Sequence, residues 1–294
     1  MNLEILKQRA KAFDYLFDAV VVTDLQGIIT DWNKGSETLY GYSKEEAIGQ
    51  AVNILHVPED TDHITSEVIE TVEKMGKWSG EIRMLHKDGH IGWIESMCVP
   101  IYNESNQMMG ALGVNRDITD RIRETERLEH LAHYDHLTNI PNRYLLLDRV
   151  KHLIAQSERN KGTFALLYID LNKFKAINDT KGHAFGDQVL IEAATRLKQS
   201  IRRSDTAARI GGDEFVLLLE NMSNKNKVSM MAETLIQTLS EPIVINNEEI
   251  QVNCSIGIAM YPDAGLTTDS LLAVADKAMY KAKNLKRPGQ YRVI

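Results

Sequence analysis

The sequence has few cysteines, few prolines and no long apolar run. Its 294 residues include 2 cysteines, Cys98 and Cys254, and 6 prolines. Two cysteines this far apart fit neither a disulfide framework nor a zinc site, so we expect a reducing, cytoplasmic location. No stretch approaches the roughly 20 apolar residues that cross a bilayer, so we expect no membrane span.

Positive charge is scarce in the first part of the chain. Residues 1–117 contain 10 Lys and Arg against 19 Asp and Glu, whereas residues 118–294 contain 24 against 22. A nucleic-acid surface needs a basic stripe, and an acidic first part has none, so we expect no nucleic-acid binding. With 43% hydrophobic and 26% charged residues, the composition is typical of a globular protein with room for two domains.

Short apolar runs separated by turns fill the first part. Two runs flank Gly27 within residues 19–33, and two more flank Lys87-Asp88-Gly89 within residues 80–103, which is a strong hairpin signal. Residues 62–76 have a helical pattern. We therefore expect a small antiparallel sheet with helices against one face.

The segment that follows, residues 117–133, is a candidate linker. It contains no glycine or proline and many opposite charges at helical spacing. The pattern predicts a connecting helix that pairs with its twin in a dimer, although its apolar positions are too irregular for a clean heptad series. A solvated linker helix is the alternative.

The second part mixes strands and helices. Helical patterns cover residues 145–162, 185–201, 227–239 and 269–286, and an apolar strand covers residues 163–172. Hairpins are predicted around Gly211-Gly212 and around Asn246-Asn247. We expect a mostly antiparallel sheet and hence an α+β fold.

The stretch RIGGDEFVLLLE, residues 209–220, carries the main functional signal. Asp213 and Glu214 repel each other, which predicts a cation beside them. Gly211 and Gly212 suit a tight turn and leave room for a ligand. A plain hairpin with hydrated carboxylates is the alternative.

A third carboxylate favours a cation site over a plain hairpin. The apolar strand FALLYIDL ends in Asp170 and Leu171, and Lys173, Lys175 and Lys181 follow. Three hard oxygen ligands beside substrate phosphates are typical of Mg²⁺ chemistry, and nearby lysines could neutralise phosphate oxygens.

Residues 134–294 resemble the GGDEF family of diguanylate cyclases. Gly211-Gly212-Asp213-Glu214-Phe215 stands in full, and the segments DHLTNIPNR, IDLNKFKAINDTKGHAFGDQVL, CSIGIAMYP and ADKAMYKAKNLKR resemble the family's other blocks in order. Two departures, Asn139 for glycine and Asn172 for the second aspartate, fall on no residue assigned to metal. The resemblance implies a sheet similar to the palm of adenylyl cyclases and the condensation of two GTP into cyclic di-GMP in a homodimer.

The resemblance also implies roles for particular residues. Mg²⁺ or Mn²⁺ would be held by the side chains of Asp170, Asp213 and Glu214 and by the main-chain carbonyl of Leu171. Asp213 and Glu214 would be rival candidates for the proton acceptor. GTP would be bound by Phe174, Lys175, Asn178, His183, Asp187, Gly211, Gly212, Lys283 and Arg287. For His183, a plain turn residue is an equal alternative.

Arg202 and Asp205 fit the family's RxxD site for product inhibition, and five residues separate Asp205 from Gly211, the first glycine of the motif. The string is common by chance, and its position before the hairpin is what favours the assignment. A catalytically silent module that senses GTP or cyclic di-GMP is the alternative to an enzyme. The retained carboxylates argue against it.

Residues 13–118 resemble a PAS domain. The segment from Phe17 to Gln50 matches the family's first half, and GVNRDITDR resembles its junction with an effector domain. The domain order is then an N-terminal helix (1–12), a PAS domain (13–118), a helical linker (119–133) and a GGDEF domain (134–294). The family binds haem, flavin, small metabolites or nothing. His63 is the candidate haem ligand and His56 a weaker one.

Overall fold

The structure, a computed structural model, describes residues 3–285 and 289–293. The side chains of residues 6, 62, 63, 65, 66, 69 and 73 lie outside the described set. The chain divides into two compact units, Met1–Arg127 and Leu128–Ile294. Each unit is described by itself.

The first unit contains a five-stranded antiparallel sheet with the strand order β2-β1-β5-β4-β3. Its strands are β1 (Ala19–Asp24), β2 (Ile29–Trp32), β3 (Trp78–Leu85), β4 (Ile91–Tyr102) and β5 (Met108–Asp117). Its helices are α1 (Leu3–Asp14), α2 (Lys34–Tyr40), α3 (Lys44–Ala47), a 3-10 turn (Val52–Leu55) and α4 (Thr61–Met75). Trp32 and Tyr40, with rings 5.5 Å apart, are among the largest side chains of its core.

Helices α2 and α3 were not expected, and their ends explain why they form. Asn33 accepts a hydrogen bond from the backbone N–H of Ser36, and Gly41 ends α2 with a left-handed φ of 78°. Ser43 and Glu46 form a capping box at the start of α3. Such caps satisfy the free N–H groups of a helix's first turn and stabilise helices too short to show a clear apolar period.

Helix α5 (Thr119–His133) matches the predicted connecting helix. The second unit follows with α6 (Arg143–Asn160), β6 (Phe164–Leu171), α7 (Phe174–Lys181), α8 (His183–Gln199), β7 (Thr206–Gly211), β8 (Glu214–Glu220), α9 (Lys225–Ser240), β9 (Ile243–Ile245), β10 (Glu248–Ile250), β11 (Cys254–Tyr261), α10 (Thr268–Lys283) and β12 (Gln290–Val293). Its main sheet has the order β12-β11-β6-β8-β7. Only the β11–β12 pair is parallel among these described strands.

Both faces of this sheet are buried because helices cover each of them. One face packs Ile169 and Phe215 against α8 and α9 residues such as Val189 and Leu235. The other packs Leu166 and Val216 against α6 and α10 residues, including Leu146 and Ala275. Alternation along β6 therefore sends every second side chain to α6 and α10, and Asp170 belongs to that series.

The predicted α+β class with mostly antiparallel sheets is confirmed, and so is the small sheet of the first unit. Helix α7 and the interior strand β11, which lies between β12 and β6, were not predicted from their patterns. All eight residues of β11 are buried, so the strand has no polar alternation to reveal it. Within the described part of the chain, every helix is too short or too polar to span a bilayer.

Candidate active site

Strand pairing brings two of the three predicted carboxylates together. Asp170, at the end of β6, lies directly opposite Glu214, the first residue of β8. Directly opposed residues of antiparallel strands point to the same face, so both carboxylates face α6 and α10. Asp170 is only 5% exposed, which is unusual for an aspartate and demands a compensating charge.

The turn between β7 and β8 differs by one residue from the expectation. Gly211 is the last residue of β7 and pairs with Glu214, so the two turn residues are Gly212 and Asp213. Both glycines have positive φ, 154° and 48°. The Leu171 N–H donates to the Asp213 carbonyl oxygen at 3.2 Å, which ties this turn to the end of β6.

Arg209 holds the turn in place, a role that the sequence did not suggest. Its Nε and Nη2 donate to the Gly212 carbonyl oxygen at 3.0 and 2.8 Å. Its Nη1 contacts both carboxylate oxygens of Asp135, at 3.0 and 3.2 Å. Burial alone would raise the pKa of Asp135, but hydrogen bonds from Thr138 and Arg209 outweigh it and lower that pKa. The segment DHLTNIPNR is therefore a support for the Gly-Gly turn.

Lys283 of α10 supplies the positive charge beside Asp170. Its Nζ lies 2.7 and 2.9 Å from the two carboxylate oxygens. Burial raises the pKa of Asp170 most strongly, the ammonium of Lys283 lowers it, and Asp213 and Asp276 raise it further; the net shift is upward. A single lysine thus leaves this carboxylate incompletely compensated.

Glu214 has a different set of neighbours. The Tyr168 hydroxyl donates to its Oε2 at 3.1 Å. Burial first, and then the charges of Asp170, Asp276 and Asp213, raise the pKa of Glu214 above its usual range, although the tyrosine opposes them. Asp276, on α10, was not among the predicted site residues. It also borders a cleft of about 180 Å³ lined by Tyr168 and Arg143.

The donor set fits a divalent cation. Asp170, Asp213 and Glu214 offer hard oxygen ligands. Asp213 raises the pKa of both Asp170 and Glu214, and Asp170 raises that of Glu214, as expected for carboxylates that need an added positive charge. Their oxygens are not all within 4.8 Å of one another; among the described residues, one trio of His, Cys, Asp or Glu meets that limit, and it lies in the first unit. Leu171 lies at the same sheet edge, with its N–H bound to Asp213.

The predicted base-binding residues lie at the junction of α7 and α8. Asn178 is on α7, and its Oδ1 is buried without a hydrogen-bond partner among the described residues. Gly186 lies beneath it: a Cβ there would be 1.9 Å from that oxygen. Asp187 follows Gly186 and is exposed, whereas Phe174 is buried. A buried acceptor without a partner is what a ligand N–H group would satisfy.

The predicted phosphate-binding residues are more scattered. Lys175 and His183 are exposed, at α7 and at the start of α8. Lys283 is engaged with Asp170, and Lys181 is paired with Glu248. Arg287 lies outside the described residues. The roles of these side chains stay predictions.

Residues 132–288 match the family model described as the diguanylate cyclase GGDEF domain. The chain belongs to the GGDEF family. Residues 29–115 match the PAS fold model, which confirms the expected order of a PAS domain followed by a GGDEF domain.

Relatives of this GGDEF protein include two from Pseudomonas aeruginosa. The bifunctional diguanylate cyclase/cyclic di-GMP phosphodiesterase MucR is 45% identical over 171 residues, 58% of this chain and 25% of MucR. The diguanylate cyclase TpbB is 38% identical over 165 residues, 56% of this chain and 38% of TpbB. The chain therefore spans well under half the length of these curated relatives.

Solved structures match each part. The GGDEF domain of TpbB is 37% identical, covers 55% of this chain and 94% of its own, and has a TM-score of 0.53. A PAS domain from Colwellia psychrerythraea is 83% identical and covers 40% of this chain and 99% of its own, with a TM-score of 0.39.

The RxxD pair of the GGDEF domain, Arg202 and Asp205, is predicted to bind the product, and Asp205 also has structural contacts. Arg202 is exposed, whereas Asp205 is only 9% exposed. The carboxylate of Asp205 accepts backbone N–H groups from Arg202 and from Glu220, each at 3.1 Å. Asp205 therefore stabilises the turn that precedes β7, and Arg202 is the partner whose side chain is accessible to a ligand.

The predicted haem ligand of the PAS domain, His63, belongs to α4, but its side chain lies outside the described residues. The weaker candidate, His56, follows the 3-10 turn. Its Nδ1 is buried without a hydrogen-bond partner among the described residues, and burial lowers its pKa. A haem or flavin ligand of the PAS domain stays a prediction.

Proposed function

We propose that the chain is a sensory diguanylate cyclase that condenses two GTP into cyclic di-GMP and two pyrophosphates. The observation that carries this proposal is the pairing of Asp170 with Glu214 beside the Gly-Gly turn. Fixed oxygen ligands next to an open glycine turn suit a nucleoside triphosphate with its metal. When bound, a divalent metal (Mg²⁺ or Mn²⁺) lowers the pKa of the attacking hydroxyl and offsets charge in the transition state.

The proposed reaction makes two bonds and breaks two. The 3′-oxygen of each GTP bonds to the α-phosphorus of the other, and each bond from α-phosphorus to the bridging oxygen breaks to release pyrophosphate. Each 3′-hydroxyl must lose a proton. Glu214 is a suitable acceptor because burial and its carboxylate neighbours raise its pKa. Asp213, at the turn, is the competing acceptor.

The base and the phosphates would be bound by different helices. The buried Oδ1 of Asn178 could accept a guanine N–H, and the exposed carboxylate of Asp187 could accept another. Adenine does not present the same pair of donors, so this set would select GTP. Lys175, His183 and Arg287 remain the proposed phosphate-binding residues, with Lys283 shared between Asp170 and the substrate.

Two identical half-reactions require two bound GTP molecules face to face. One GGDEF domain carries one such set of residues, so we propose that the homodimer is the catalytic unit. The PAS domain would regulate how the two domains meet, and cyclic di-GMP would inhibit at Arg202 and Asp205. Specific activity should then rise with protein concentration until the dimer is saturated.

The test is product formation from GTP and Mg²⁺, followed by chromatography with mass detection. Wild-type protein should yield cyclic di-GMP, and Asp213→Ala should yield none while keeping its circular dichroism spectrum. Asp263→Ala is the matched control, because Asp263 is an exposed aspartate of the same domain. GTP binding without product in the wild type would favour the alternative, a silent sensor of GTP or cyclic di-GMP.

A further inference from the structure

The turn between β3 and β4 in the PAS domain carries three metal-ligand side chains on alternate residues. His86, Asp88 and His90, here the hairpin trio, each place one ligand atom within 4.8 Å of the others. No other trio of His, Cys, Asp or Glu in the described part of the chain is this close. The GGDEF site and its proposed reaction do not involve these residues.

The distances within the hairpin trio converge on one oxygen. Asp88 Oδ1 lies 2.9 Å from His86 Nδ1 and 2.6 Å from His90 Nδ1. For both contacts to be hydrogen bonds, each imidazole must carry a proton on Nδ1. The Asp88 backbone N–H, however, points at His86 Nδ1 at 3.2 Å and needs a lone pair there. A cation bound by all three groups would take the place of both protons, because each Nδ1 and the carboxylate oxygen would then donate an electron pair to the ion.

The hairpin backbone holds the trio in this arrangement. The His86 N–H donates to the His90 carbonyl at 3.0 Å, and the Gly89 N–H donates to the His86 carbonyl at 2.9 Å. The two imidazole rings are stacked, with centroids 4.3 Å apart. The Lys87 N–H donates to the Tyr40 carbonyl at 2.9 Å, which fixes the turn against the end of α2.

Gly41 makes the room that the His86 ring occupies. A Cβ at position 41 would lie 2.4 Å from His86 Nε2, well inside contact distance. The His86 side chain is accordingly only 20% exposed, whereas those of Asp88 and His90 are 63% and 54% exposed. One ligand is thus fixed by packing, and the other two are free to adjust around an ion.

We propose that His86, Asp88 and His90 bind a divalent transition-metal ion, for which Zn²⁺ is the probe. Two imidazole nitrogens with one carboxylate suit Zn²⁺, Ni²⁺ or Cu²⁺, whereas Mg²⁺ and Ca²⁺ prefer sites made of oxygen ligands. Metal–ligand bonds of about 2.0–2.2 Å place neighbouring ligand atoms roughly 3.0–3.5 Å apart. The Asp88–His90 contact of 2.6 Å therefore needs to lengthen by roughly 0.4–0.9 Å, and the Asp88–His86 contact of 2.9 Å by roughly 0.1–0.6 Å.

Zn²⁺ titration of the whole chain by calorimetry, with excess Mg²⁺ to cover the oxygen-ligand sites, tests the proposal. The wild type should bind one Zn²⁺ more than His90→Gln, or bind it at least about ten-fold more tightly. His152→Gln is the matched control. His152 lies 3.4 Å from Asp148 on an exposed helix face, but this pair does not belong to a trio of ligand side chains among the described residues. It should leave that binding unchanged.

Electron paramagnetic resonance of Cu²⁺ bound to the wild type identifies the ligands directly, so that measurement does not depend on a variant's folding. The wild-type spectrum should contain coupling to two imidazole nitrogens, and His90→Gln should reduce it to one. Equal Zn²⁺ binding by wild type and His90→Gln would overturn the proposal. So would a wild-type Cu²⁺ spectrum without imidazole coupling.

Discussion

The contact between Arg209 and Asp135 gives the most quantitative prediction for the GGDEF domain. Their side chains are only 11% and 16% exposed, and Arg209 also holds the Gly212 carbonyl. Removing one partner of a buried ion pair costs about 3–5 kcal/mol because the other charge is left uncompensated. Thr138 still donates to Asp135, so we expect Arg209→Met to cost about 3 kcal/mol, the lower end of that range.

That loss should be visible in both thermal and denaturant unfolding. For a domain of this size, about 3 kcal/mol corresponds to a fall of roughly 6–12 °C in the unfolding midpoint. Lys225→Met is the matched control, because Lys225 and Asp263 are 3.5 Å apart and 57% and 64% exposed. An exposed pair contributes at most about 1 kcal/mol. If the free energy of unfolding of Arg209→Met lies within about 1 kcal/mol of the wild-type value, the Arg209 contact does not stabilise the turn.

The effect should also depend on pH. The pKa of Asp135 is lowered from 3.8 in the folded protein. A lowered carboxyl pKa stabilises the fold above the unfolded-state pKa, and this contribution is lost as the pH falls through the folded-state value. The loss of unfolding free energy in Arg209→Met, relative to the wild type, should therefore be complete at neutral pH and should become smaller below about pH 3.8. A deficit that is constant across this range would contradict an ion pair as its source.

Three further predictions concern the site. In Tyr168→Phe, Glu214 loses the hydroxyl that lowers its pKa, so the acidic limb of the pH–rate profile should move to higher pH. If the limb stays at the wild-type pH, Glu214 is not the titrating group. In Gly186→Ala, a Cβ would lie 1.9 Å from Asn178 Oδ1, so KM for GTP should rise in steady-state assays with little loss of folding; an unchanged KM would remove Asn178 from the base site. Asp205→Ala leaves two backbone N–H groups without their acceptor and should lower stability by about 2 kcal/mol, whereas Arg202→Ala should relieve product inhibition at unchanged stability.

Local sequence signals predicted much of the fold. The hairpin around Lys87-Asp88-Gly89 and the strand ending at Asp170 formed where turn residues and apolar runs placed them. Strand β11 was not predicted because all of its residues are buried. Gly257 within it lies so close to α10 that a Cβ would be 2.0 Å from the Ala275 carbonyl oxygen. A strand of this kind has neither alternation nor a polar face.

The candidate site was only partly predictable. The pairing of Asp170 with Glu214 follows from a carboxylate at a strand end and a hairpin beside it, both visible in the sequence. The contact of Arg209 with Asp135 joins residues 74 positions apart, and Asp276 reaches the site from a helix near the end of the chain. No local pattern reports such contacts, because they depend on how the sheet and helices pack.

The opposition of Asp170 and Glu214 has a consequence for how this protein can change. Their spacing is set by the same β6–β8 register that opposes Ile169 to Phe215 inside the core. Deleting one residue from β8 would bring the Phe215 ring to the face where an acid stood, and deleting one from β6 would turn Asp170 toward the aliphatic side chains of the opposite face. The geometry of the candidate site and the packing of the core therefore depend on the same strand register: this segment can exchange side chains, but changes of length must be accommodated in the loops.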